Sequence, residues 1–209
     1  SKDVVVRYNT NLSRTKYKNY DLYSMLDNFK NVNICASIDA IGDIGEYIRT
    51  GLSWPEFLQN FNDGMFLIDR YGQDAIVFDV TLTTPGLFGL KDMFDQVTEM
   101  NVKSYFKFAY AFDPTKIISP TALPKHITIP YCQELIEYME PRKTWKTQVY
   151  IDSLKDLMKR KSFDEEFPNY KEGLKRGKNE ILFLEKIREQ KLTFRDILNE
   201  PAKEWWDDI

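Results

Sequence analysis

Cysteine and histidine are the scarce residues of this chain. Two cysteines, Cys35 and Cys132, lie far apart in no CxxC arrangement, and His126 is the only histidine. Multi-histidine metal sites are thereby excluded, and a four-ligand zinc site lacks donors. A cysteine-ligated iron–sulfur cluster cannot be built from these residues alone. Two cysteines make no disulfide framework, so a reducing, cytoplasmic setting is the expectation. No apolar run approaches the ~18–20 residues of a membrane span, and no charged-then-apolar secretory leader opens the sequence; no membrane partner is expected. Excess positive charge is missing as well. A net charge of −3 and a pI near 5.4 argue against nucleic acid as a partner, though not against a local basic patch. P-loop, GxGxxG, HExxH and GxSxG motifs are absent, which leaves nucleotide hydrolysis and serine-hydrolase chemistry without support.

What is present suits a packed protein. The 209 residues fit one domain, or one domain with a helical appendage. Apolar residues make up 43% and aromatics 14%, which disfavours disorder. The chain enters a strand-like run, Val4-Val5-Val6, within three residues of Ser1. So abrupt a start reads as a processing site or a truncation at Ser1.

Residues 1–115 alternate short apolar runs with amphipathic stretches. Strands are predicted at Val4–Tyr8, Val32–Ile38, Ala75–Leu82 and Val102–Tyr110. The first three are mostly continuous apolar or β-branched runs, the pattern of strands buried on both faces of a parallel sheet. Leu22, Met25, Leu26 and Phe29 fall at helical spacing. Ser53-Trp54-Pro55-Glu56 reads as a capping box opening a second helix, which Gly64 weakens slightly. Thr84-Pro85 opens a third. The order βαβαβαβ supplies the long crossovers that parallel strands need. Four strands cannot close a barrel of about eight. The reading is α/β: half of a parallel (β/α) barrel, or a small open sheet, with the abrupt start favouring the half-barrel.

Residues 116–209 read as a helical extension packing on that unit. Pro114–Pro130 is an irregular connection with four prolines. Helical faces follow at Cys132/Leu135/Ile136/Met139, at Tyr150/Leu154/Leu157/Met158 and at Ile181/Leu184/Ile187. Thr193 caps a last short helix. The basic stretch Lys171–Lys178 reads as a solvated loop or helix face, with a binding patch as the alternative, and Trp205-Trp206 as packing the tail down, with a partner site as the alternative. Cys35 and Cys132 are small buried core residues, and His126 reads as surface decoration, with a general-base role as the alternative.

In parallel α/β folds ligands bind beyond the carboxyl ends of the strands. That rule selects Asn9-Thr10-Asn11 after the first strand, Ser37 and Asp39 at the second, Thr83-Thr84 at the third, and Tyr110 and Asp113 at the fourth. The second segment is the richest. Arg49 can grip a carboxylate through two parallel hydrogen bonds, Ser37 can donate to the same group, and Asp39 lies on the face of Ser37. Asp39 could receive an ammonium or ribose hydroxyl, or orient the arginine. The bland alternative is a turn with an Arg49–Asp43 or Arg49–Glu46 ion pair. Asn9 and Asn11 also suit Asx turns, and Thr83 and Thr84 a strand end and helix cap.

Tyr8-Asn9-Thr10-Asn11, then Ala36-Ser37-Ile38-Asp39 followed by Glu46-Tyr47-Ile48-Arg49, resemble the later strands of radical S-adenosylmethionine enzymes. The nearest group is the twitch-domain-containing one of bacterial and phage sequences. The resemblance runs from Val4 to Arg49 and more loosely onward. It implies the C-terminal part of a partial (β/α) barrel, with the S-adenosylmethionine site shared by Ser37, Asp39, Arg49, Asn9, Thr10, Asn11 and Thr83. It further implies a 4Fe–4S cluster whose CxxxCxxC ligands, with a GGEP-like motif, belong to a missing N-terminal half of the barrel. On this reading the parent is an enzyme that cleaves S-adenosylmethionine reductively. This chain holds no catalytic or metal-ligating residue of its own, and the substrate is an unidentified peptide or small molecule. The alternative is a cluster-free binding or scaffold protein with an open parallel sheet.

Overall fold

The computed structural model describes residues 3–190 and 192–209; the expectation about Ser1 lies outside them. The chain begins with β1 (Val5–Thr10), a small antiparallel hairpin β2 (Lys16–Tyr17) and β3 (Tyr20–Asp21), and α1 (Leu22–Leu26). Then come β4 (Asn31–Ile38), α2 (Gly42–Ile48), α3 (Trp54–Asp63), α4 (Phe66–Tyr71), β5 (Ile76–Leu82), α5 (Thr84–Phe88), α6 (Leu90–Met100) and β6 (Ser104–Phe108). The rest is helical: α7 (Lys125–Met139), α8 (Gln148–Lys159), α9 (Phe163–Glu166), α10 (Tyr170–Arg188), α11 (Phe194–Ile197) and α12 (Glu200–Asp208).

The four long strands form one open parallel sheet in chain order, β1-β4-β5-β6. Tyr8 lies beside Ile34, Ala36 beside Phe78, and Phe78 beside Ser104. Side chains alternate across a strand, and here the two faces differ in kind. Val32, Ile34, Ala36, Ile38, Ile76, Phe78, Val80 and Leu82 join helix residues such as Phe57, Phe61, Leu67, Phe94 and Val97 in one apolar core. The alternate residues Asn33, Cys35, Ser37, Val77, Asp79 and Thr81 contribute nothing to it. The core-forming helices therefore lie on one side of the sheet, and the other side is bare of them although Cys35, Val77 and Asp79 on it are buried. That is the consequence of same-handed crossovers between neighbouring strands.

Each of the four expected strands is found within two residues of its expected bounds, and the hairpin β2–β3 is unexpected. Departures occur where local breakers act. The second expected helix is two, because Gly64 ends α3. The third is also two, α5 and α6, separated at Gly89. The first is a single short turn, with Met25 left 54% exposed. The connection expected through Pro130 is already helix from Lys125, with Pro130 inside α7. Pro130 removes one N–H from the helix, and burial of Ile127, Cys132, Leu135 and Met139 holds the helix across that gap.

The third helical face expected in the tail is only partly the buried one: Ile181 packs against the core. Leu184 and Ile187 are 41% and 60% exposed, and α10 instead buries Gly173, Leu174, Gly177 and Glu185. The two glycines set this rotation. A Cβ on Gly177 would stand 2.3 Å from the Thr115 carbonyl oxygen, and one on Gly173 2.4 Å from the Pro114 ring. Only glycine lets α10 lie directly on the chain after β6. Gly177→Ala gains ~1 kcal/mol in helix propensity but collides with a backbone carbonyl. We expect a net loss of about 1–2 kcal/mol, read as a lowered midpoint in urea; an unchanged or raised midpoint would show that α10 can lift away freely.

Candidate functional site

The bare face carries polar side chains in register. Ser37 on β4 is beside Asp79 on β5, and Thr81 is beside Lys107 on β6. Asp79 Oδ2 accepts from Lys107 Nζ at 2.6 Å and, at a long 3.5 Å, from Ser37 Oγ. The Asp79 side chain is only 11% exposed, whereas Lys107 is 48% exposed. Lys107 gives this deep carboxylate a charge-assisted hydrogen-bond partner.

Two residues beyond Ser37, Asp39 is buried and accepts a hydrogen bond from Arg49 Nε. The local chain path explains why they meet. After Asp39 the backbone turns into α2, whose C-terminal boundary is Arg49. Gly45 lets α2 cross the strand end, since a Cβ there would stand 2.2 Å from the Ala40 carbonyl oxygen. Gly86 admits α5 against the Asp39 carbonyl in the same way, at 2.5 Å. Among the described residues Asp39 is the only hydrogen-bond or ion-pair partner of the Arg49 side chain. Nε is occupied, so the Nη1/Nη2 edge, two parallel N–H groups, remains available to an oxyanion. Neither expected alternative partner is used: Glu46 instead accepts from the Trp54 N–H at 2.7 Å and starts α3.

The remaining predicted residues divide. Asn9 is exposed beside Cys35 on the bare face. Thr10 and Asn11 serve the turn after β1: Thr10 Oγ1 accepts from the Leu12 N–H at 3.0 Å, and Asn11 Oδ1 from the Ser13 N–H at 3.2 Å. Thr83 is buried and caps α5 by accepting from the Gly86 N–H at 3.0 Å. The structure thus brings Ser37, Asp39 and Arg49 to one strand end with Asn9 on the same face, and gives Thr10, Asn11 and Thr83 backbone duties.

Asp79 and Lys107 were missed. Their signal was a carboxylate inside the otherwise apolar run Ile76–Leu82 and a lysine in Ser104–Phe108. Toward the other end of the face lie Arg7, Asn33, Cys35 and Tyr105. Tyr105 donates to Asp74 at 2.9 Å, and burial together with that bond pushes its phenol up to about 12. Cys35 is buried as expected, but on the bare face rather than in the main core. Cys132 is in the core. No group of three or more His, Cys, Asp or Glu among the described residues is placed to hold a metal ion. No described helix is long and apolar enough to cross a membrane.

The arrangement can therefore bind both signs of charge at one strand end. Arg49 offers an anion-binding edge, Asp79 has a second carboxylate oxygen, and Ser37 and Lys107 offer donors. No family model, curated protein or solved structure matches the chain.

Proposed function

We propose that the bare sheet face is the ligand face of a radical-S-adenosylmethionine-type partial barrel, and that this chain supplies the part of the site that holds the cofactor's amino-acid moiety. One observation carries the reading: Arg49, oriented through Nε by buried Asp39, stands at the end of β4 beside the Ser37–Asp79–Lys107 group. Arg49 would take the carboxylate, Asp79 the ammonium, and Ser37 a hydroxyl. The chain-order parallel sheet with helices on one side is the wall that such a barrel uses, and the free edge of β1 is where further strands would add. S-adenosylmethionine, when bound, supplies a sulfonium-activated alkyl group. The 4Fe–4S cluster does not fit these residues. Cys35 and Cys132 are both buried and no metal-ligating group forms among the described residues, so no step through a cluster is derived for this chain.

Isothermal titration with S-adenosylmethionine tests the reading. Arg49→Ala should weaken binding by roughly 10–100-fold, the loss of a charged bidentate contact worth about 1.5–3 kcal/mol. Arg49→Lys should recover little, because an ammonium cannot reproduce the planar fork. Absence of saturable binding to the intact chain, or an unchanged affinity in Arg49→Ala, would overturn the assignment.

The donor set favours one other reading, a cluster-free binding protein that uses the same face for a different zwitterion. Its mark would be a thermal shift with free amino acids, lost in Arg49→Ala, and none with S-adenosylmethionine.

A further inference from the structure

A second concave site lies on the helical side, between α7, α9, α10 and α12. It is a cavity of about 490 Å³, within the ~300–1,000 Å³ range of small-ligand pockets. Buried Leu174 forms part of its floor, and half-buried Tyr170 and Trp205 supply aromatic walls. Lys171 and Lys175, one turn apart on α10, line it together with Asp164 and Asp208.

The charges around this cavity are unspent. Glu165, next to Asp164, pairs with Lys125 at 3.0 Å, and Asp207, next to Asp208, pairs with Arg195 at 2.6 Å. Asp164, Asp208, Lys171 and Lys175 have no ion-pair or hydrogen-bond partner among the described residues. Two lysines at i, i+4 repel each other and cost the helix a few tenths of a kcal/mol. The described residues give neither ammonium group a partner; a dianion between the two would supply one. Aromatic walls take a flat ring, which stacks favourably on Trp and Tyr faces. The carboxylates can accept from hydroxyl or amino groups.

We propose that this cavity binds a nucleoside monophosphate: the phosphate on Lys171 and Lys175, the base against Trp205 and Tyr170, and sugar hydroxyls toward Asp164 or Asp208. The site is separate from the sheet face and its test does not depend on that reading.

The experiment is titration of the 209-residue chain with adenosine monophosphate, followed by heat and by quenching of tryptophan fluorescence. Adenosine, ribose phosphate and inorganic phosphate serve as part-ligands. Saturable binding of the monophosphate is expected, with each part-ligand weaker by roughly tenfold or more. The double variant Lys171→Gln/Lys175→Gln changes only exposed side chains and should keep the wild-type thermal midpoint. It should reduce monophosphate affinity to that of adenosine while leaving adenosine itself unaffected. Trp205→Leu should weaken adenosine and monophosphate alike. No saturable binding at millimolar ligand overturns the proposal. So does inorganic phosphate binding as tightly as the nucleotide, which would leave only a surface cation pair. Indifference of the monophosphate to the lysine variant overturns it as well.

Discussion

Replacing Phe78 by alanine lowers the unfolding free energy by about 3–5 kcal/mol, a large share of the ~5–15 kcal/mol that holds a typical domain together. Phe78 is fully buried in the centre of β5. Its ring stacks on Phe61 at 4.3 Å between centroids and lies 6.0 Å from Phe57. It thus joins the sheet to α3 through an aromatic layer that Trp54 extends, 5.7 Å from Phe57. Truncation removes the transfer free energy of the ring and the stacking beyond it, and it leaves a cavity that two rigid neighbouring rings cannot fill. Phe78→Leu retains much of the volume and should cost less than half as much. Denaturant midpoints of the two variants check this; equal losses would mean that the aromatic layer is unimportant as such.

Raising the pH should destabilise the protein steeply from about pH 9, the ordinary value for an unfolded thiol. Burial pushes the Cys132 thiol up to about 12, and burial, aided by Glu134, does the same to the Tyr131 phenol. Burial is also the main cause of upward shifts at Tyr23, Tyr47 and fully buried Tyr150. At Tyr47 the hydrogen bond to Glu185 adds to it. The sign follows from proton binding. Above the unfolded values the unfolded chain gives up protons that the native state keeps. The stability from these groups is therefore complete below about pH 9–10 and is lost as the pH rises toward the folded values. Each such group removes about 1.4 kcal/mol per pH unit in that window. Urea midpoints should be level at neutral pH, begin to fall near pH 9 through Cys132, and fall faster above pH 10 as the tyrosines join. Cys132→Ala should remove the part of the slope that Cys132 contributes below pH 10. A flat profile to pH 11 would contradict burial of these hydroxyl and thiol groups.

The sheet was readable because its signal is local. Continuous apolar runs marked β4 and β5, which are largely buried; the same signal placed β1 correctly but misjudged its burial, because β1 is an edge strand left mostly exposed. The alternation that would have shown the bare face is partly hidden, because Cys35 and Val77 on that face are also apolar and buried. Asp79 was the informative exception in β5, and it was passed over as part of an apolar strand. At the strand end the sequence offered the Arg49–Asp39 pairing only as one alternative among several. Arg49 is closer in sequence to Asp43 and Glu46 than to Asp39, and only the crossing of α2, permitted by Gly45, decides between them. The face of α10 was legible only in part, for a related reason. Periodicity finds large apolar residues, whereas this helix is placed by two glycines and by Glu185, which accepts from the Tyr47 hydroxyl at 2.7 Å and the Phe194 N–H at 2.6 Å.

The chain-order sheet also bears on how the protein is made. During synthesis β4 meets β1 already present, β5 meets β4, and β6 meets β5. No strand has to wait for a later one to be inserted between itself and its neighbour, so the sheet can grow at one edge as the polypeptide emerges. Domains begin to fold from their N-terminal side during synthesis, and a sheet built in chain order suits that direction. The contacts that close last span most of the chain. Tyr47 waits 138 residues for Glu185, which makes the clasp over α2 a late event on the ribosome.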